Sequence, residues 1–157
     1  MHKTKNDLPE KTRTEVIAIL NAHLANSIDL MHQAKQAHWN VKGPTFIALH
    51  KLFDEIVDAA EEYIDLIAER VVQLGGTAEG TIQNAAKRSM LKEYPLSISA
   101  EREHVETLSS ALASYGKSAR HAIDQTDELG DKDTADIFTE ISRGVDKYLW
   151  FVEAHLG

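Results

Sequence analysis

The residues with the clearest chemical potential are His50 with Asp54 and Asp65 with Glu69, each pair four positions apart. On a helix that separation puts both members on one face. Imidazole combined with carboxylate suits iron, manganese or zinc. With His50 as zero and about 100° per residue, Asp54 falls near 40° and Glu69 near 100°, with Asp58, Glu61 and Glu62 in the same sector. A solvated acidic face is the ordinary meaning of such a stripe. Two details argue otherwise here: almost no Lys or Arg balances it, and the spacing is paired. Asp54 and Asp65 lie about 16 Å apart along a helix axis, so the two pairs of one helix cannot hold the same ion. A second copy running antiparallel across a two-fold axis can bring His50 and Asp54 of one chain to Asp65 and Glu69 of the other, twice over. The axis would pass near Ala59 and Ala60, where small side chains permit close approach. His38 precedes the Gly43-Pro44 turn, and a short turn places it beside His50, where it can complete a His-His-Asp set. A capping or core role is the commoner use of a lone His at such a place, and packing the commoner use of the neighbouring Trp39.

These residues need long helices to position them, and the sequence predicts four. Apolar residues recur at helical spacing from about Pro9 to Asn40, from Thr45 to Leu74, from a Ser99 N-cap through Ile123, and from Asp131–Asp133 through Val152. No segment alternates with period two, so no sheet is expected. Gly43-Pro44, Gly75-Gly76, Gly80, Pro95 and Gly130 fall between the helices. The first two helices and the last two are joined by short turns. The long connection between the second and third, Gly75 to Ile98, can run the length of a bundle and carry a short helix over Ile82 to Leu91. The expected fold is therefore all-α: a ferritin-like four-helix bundle with one long crossover, in which the second and third helices run parallel. The chain is expected to be a single domain over residues 1–157, with residues 1–8 a flexible N-terminal tail.

Composition narrows the function. The chain is 43% hydrophobic, enough for one domain with a sizeable core. With no cysteine it has no disulfide framework, thiolate zinc site or thiol nucleophile. Neither a signal peptide nor a membrane span is visible, so a cytoplasmic protein is expected. Acids exceed Lys plus Arg by 25 to 17, a formal charge of −8 that disfavours binding nucleic acid by charge alone. Glu101 and His104 form a Glu-x-x-His spacing, but no second copy of it occurs, which excludes a di-iron site inside the bundle. His104 is expected at the surface or an interface. His2, His23, His32, His121 and His155 are read as ordinary residues.

The run Ala37-His38-Trp39-Asn40-Val41-Lys42-Gly43-Pro44 closely resembles the Dps family, the miniferritins. So do Leu49-His50-Lys51-Leu52-Phe53-Asp54-Glu55, Asp65-Leu66-Ile67-Ala68-Glu69-Arg70 and Leu74-Gly75-Gly76. The resemblance continues through Asp133-Thr134-Ala135-Asp136-Ile137, Asp146-Lys147 and Leu149-Trp150, nearly the whole chain. It implies a hollow dodecamer that oxidises Fe(II), preferentially with hydrogen peroxide, and stores the ferric product as mineral. By motif, the implied ferroxidase ligands are His38, His50 and Asp54 from one subunit with Asp65 and Glu69 from its mate, a site that zinc can also occupy. It further implies a radical-quenching role for Trp39 and three-fold pores that Asp127, Asp131 and Asp136 match best. Helix capping by Asp131 or Asp133 competes with the pore reading. Asp58, Glu61 and Glu62 are candidate mineral nucleators, or simply a solvated face. DNA-binding relatives use Lys-rich tails. Here Lys3, Lys5, Lys11 and Arg13 stand against Asp7 and Glu10, so DNA binding is expected to be weak, and a nucleoid-compacting structural protein is the alternative.

Overall fold

The computed structural model describes residues 1–157 and is all-helical. Its elements are α1 (Glu10–Asn40), α2 (Phe46–Gln73), α3 (Ile82–Arg88), α4 (Glu101–Glu128) and α5 (Lys132–Glu153). The long helices α1, α2, α4 and α5 form the bundle, and α3 is the short helix in the crossover. α1 packs along α2 and α4 along α5, while α1 against α4 and α2 against α5 close the remaining two sides.

Side-chain contacts at the helix ends fix the directions. At one end, His38 of α1 meets His50 of α2, and the Glu101 carboxylate at the start of α4 accepts the Thr45 N–H at the start of α2. At the other, the Arg13 guanidinium of α1 donates to the Leu74 carbonyl at 2.9 Å, and Arg70 of α2 pairs with Asp131 before α5. The beginnings of α2 and α4 therefore share one end, so these two helices run parallel, as the long crossover requires.

The helix ends follow local chemistry. α1 begins after Pro9, whose missing N–H costs nothing there. α4 is capped differently from the Ser99 expectation: Ala100 is the N-cap, and the Glu103 carboxylate reaches back to the N–H groups of Ala100 at 3.1 Å and Ser99 at 3.3 Å. α5 has a side-chain cap, since the Asp131 carboxylate accepts the Thr134 N–H at 3.0 Å. At Gly43 the backbone takes a φ of 155°, which residues with side chains rarely adopt, and an added Cβ would also push aside the Glu101 carboxylate that accepts the Thr45 N–H.

The core is built from the apolar faces that the periodicity marks, with Leu20, Leu24, Phe53, Ile56, Ile67, Leu108, Leu112, Phe138 and Ile141 buried. Its polar groups are mostly paired: the Tyr115 hydroxyl meets Ser27 Oγ at 2.7 Å at full burial. The crossover is tied to α1 by side-chain amides. Asn21 donates to the Thr77 carbonyl and accepts from the Glu79 N–H, and the Asn26 carbonyl oxygen accepts the Met90 N–H. The N-terminal segment lies against the α2 corner, where the His2 N–H donates to the Gly75 carbonyl at 2.8 Å.

Candidate metal centre

The α1–α2 turn brings His38, His50 and Asp54 together. His38 Nδ1 lies 2.7 Å from the His50 carbonyl oxygen, and His50 Nδ1 lies 2.8 Å from the His38 carbonyl oxygen. A carbonyl only accepts, so each Nδ1 carries the proton and donates. In the neutral ring each Nε2 is then left with a free lone pair, the form in which imidazole ligates a metal. The two rings stack with centroids 3.7 Å apart, and the Phe46 ring packs on His50 at 5.0 Å. Asp54 lies nearby, with Oδ1 3.8 Å from His38 Nδ1, but its carboxylate does not converge with the two rings as a three-ligand set within the chain.

A cation already sits on this carboxylate. Lys35, one turn before His38 on α1, places Nζ 2.5 Å from Asp54 Oδ1. The Lys35 hydrogen bond, opposed by partial desolvation and aided by His38, holds the Asp54 carboxyl below its ordinary range. A metal ion reaching Asp54 must share or displace that ammonium. Lys35 and His38 are three residues apart and share a helix face, but the contact with Asp54 depends on how α1 and α2 meet.

Asp65 and Glu69 lie farther along α2, exposed. The structure does not bring them to the histidines of their own chain, and no three His, Asp or Glu side chains within the chain converge as a metal site. Asp58, Glu61 and Glu62 are exposed on the same helix. Trp39 is 65% exposed beside the histidines, so it is not a packing residue within its own subunit.

Three other residues differ from expectation. Asp131 is buried, pairs with Arg70 Nη2 at 2.8 Å and caps α5. The capping role applies, and Asp131 drops out of the pore set. Asp127 and Asp136 stay exposed, though Asp127 pairs with Lys132 at 2.8 Å. His104 is buried rather than at the surface, because the crossover folds Tyr94 over it and sets the Tyr94 hydroxyl 2.7 Å from His104 Nδ1. Burial lowers the pKa of His104. His23 is also buried, edge-on to Phe138 with ring centroids 4.7 Å apart, and its Nδ1 has no partner. Burial, aided by repulsion from His121, lowers its pKa to about 4.

A ferritin-like domain model matches residues 17–157. The chain is 51% identical over 155 residues to a DNA protection during starvation protein of Agrobacterium fabrum, covering 99% of this chain and 96% of that one. The chain belongs to the Dps family of ferritin-like proteins. Solved Dps structures superpose on it closely. Dps from Mycobacterium smegmatis shares 29% identity with a TM-score of 0.94, covering 99% of this chain and 94% of that one. Dps from Microbacterium arborescens, solved in a high iron form, shares 32% identity with a TM-score of 0.88, covering 98% and 97%. The helical bundle with its single crossover is thus the Dps fold. No helix of this Dps-family chain is long and apolar enough to cross a membrane.

Proposed function

We propose that this chain is a ferroxidase and iron-storage subunit of a dodecameric shell, working in the cytoplasm, whose iron sites lie between two-fold-related subunits. One observation carries the reading. His38 and His50 each donate Nδ1–H to a main-chain carbonyl of the other, which leaves both Nε2 atoms free to ligate, with the Asp54 carboxylate 3.8 Å from the His38 ring. Asp65 and Glu69 on the same helix face are too distant to join them in one chain, so a second subunit supplies them. Imidazole and carboxylate hold Fe(II) while leaving positions open to an oxidant. Two Fe(II) ions each lose one electron, and one hydrogen peroxide takes both electrons and two protons to give two waters. That stoichiometry consumes peroxide without releasing a hydroxyl radical. Exposed acids on α2, Asp58, Glu61 and Glu62, are available to nucleate the ferric product, and Asp127 and Asp136 to draw cations to a pore. Trp39, exposed beside the site, is placed to quench stray oxidising equivalents.

Protection of DNA, which the name of the Agrobacterium relative announces, would then come from removing iron and peroxide rather than from coating DNA. The net charge of −8 supports this. So does the engagement of Arg13, whose guanidinium is spent on the Leu8 and Leu74 carbonyls.

The test is Fe(II) oxidation followed against added peroxide. Two Fe(II) are expected per peroxide. His50→Ala or Asp54→Ala is expected to slow the fast phase by more than about tenfold, since even outer partners of metal ligands cost that much. Unchanged kinetics would refute the assigned site. DNA compaction at moderate salt by a protein that oxidises no iron would favour the structural alternative.

A further inference from the structure

Two exposed apolar residues bracket the acidic stripe of α2. Ile47 is 59% exposed near its start, and Val72 is 47% exposed near its end. At about 100° per residue, both fall within ~60° of His50, in the same sector as Asp54, Asp65 and Glu69. Single exposed apolar residues are ordinary on protein surfaces. These two differ because they are equidistant from Ala59 and Ala60, the midpoint about which His50 faces Glu69 and Asp54 faces Asp65. The register that pairs the metal ligands therefore also sets Ile47 of one copy against Val72 of the other. A shallow, open groove lined by Ala68, Glu69, Val72, Gln73 and Ala78 lies beside Val72. Phe46, 40% exposed and packed on the His50 ring, stands next to Ile47 and faces Gln73 in the same register.

We propose that Ile47, with Phe46 beside it, is an apolar latch that seats in the Ala68–Val72–Ala78 groove of a second copy of this chain and closes the outer end of each shared iron site. The proposal rests on the shared-site reading and deepens it. Glu69 lines the groove and is the carboxylate that His50 of the other copy would meet, so seating Ile47 one turn away removes water from that end of the site. Charges exposed to less water interact more strongly, so the latch would tighten ion binding as well as association. Two such contacts, one at each end of the helix pair, also offset the repulsion between the facing acids in the middle.

The absence of cysteine makes the test direct. Residues 47 and 72 are about 38 Å apart along one helix, so a disulfide between cysteines placed there must join two chains. Ile47→Cys with Val72→Cys, oxidised under native conditions and run without reductant, is expected to shift most of the protein to twice the subunit mass. Either single variant is expected to stay at the subunit mass, because across the axis each position lies about 38 Å from its own copy. A double variant that cross-links no more than the single ones overturns the latch. The pair Asp54→Cys with Asp65→Cys separates this from failure of the underlying reading. Cross-linking there but not at 47 and 72 overturns the latch alone, and cross-linking at neither overturns the shared site with it.

Discussion

The imidazoles of His38 and His50 each donate Nδ1–H to the main chain of the other residue. This exchange needs α1 and α2 to meet at one turn, so the backbone that forms the hairpin also prepares the ligands. Spacing singled out His50 and Asp54 as candidates, because metal ligation restricts residue type and position together, while His38 entered through the short turn beside it and the family motif. Spacing did not reveal Lys35 on Asp54, since ammonium–carboxylate pairs between helices depend on which faces meet. Nor did it reveal His23 or His104 as buried, because a histidine with one or two neighbours reads the same on an apolar face as on a wet one. His23 offers a test at this scale. Its pKa is about 4 in the fold against about 6.5 in an unfolded chain, so the unfolded chain binds the extra proton between those values. Stability is complete above about pH 6.5 and falls as pH drops toward 4, by about 3 kcal/mol from this residue. The melting temperature of His23→Leu is expected to depend less on pH across that window than the parent's. An unchanged slope would mean that His23 is not buried as a neutral group.

Among the elements, the end of α2 and the start of α5 are locked by one buried ion pair. Arg70 donates to Asp131 at 2.8 Å and to Thr134 Oγ1 at 3.0 Å, while Asp131 caps α5. Arg70 directly follows Glu69, so this lock also sets the rotation of the helix that presents Asp65 and Glu69. Helix number, length and crossover were legible because periodicity and connection length are properties of the sequence. Capping by Asp131 was legible as one of two readings, but its burial against Arg70 was not, since Asp127, Asp133 and Asp136 are the same kind of residue and only packing separates a buried cap from an exposed acid. Arg70→Met should leave Asp131 buried without its partner and cost about 3–5 kcal/mol. Adding Asp131→Asn keeps a capping oxygen without the charge and should recover part of that loss. Denaturant titrations of the four proteins in this cycle measure the coupling, and additive losses would show that the two residues do not act as a pair.

For the whole molecule, the net charge of −8 acquires locations. One share is the α2 stripe, whose halves lie too far apart to serve one ion within a chain. Another is the exposed group of Asp127, Asp133 and Asp136 at the α4–α5 turn. A lone subunit leaves Trp39, Ile47 and Val72 in water next to incomplete metal ligands. The proposed two-fold pairing along α2 would cover Ile47 and Val72 and complete the ligands together. If each iron site draws side chains from two subunits, two inactive chains will complement each other. A His50→Ala/Asp54→Ala chain and an Asp65→Ala/Glu69→Ala chain should each assemble without fast Fe(II) oxidation. Assembled together from an equal mixture, half the pairs would join unlike chains, and each such pair would hold one intact site of two. Recovery of about a quarter of the parent activity is predicted from that symmetry. A mixed assembly as inactive as its two parents would mean that the sites are not shared between subunits.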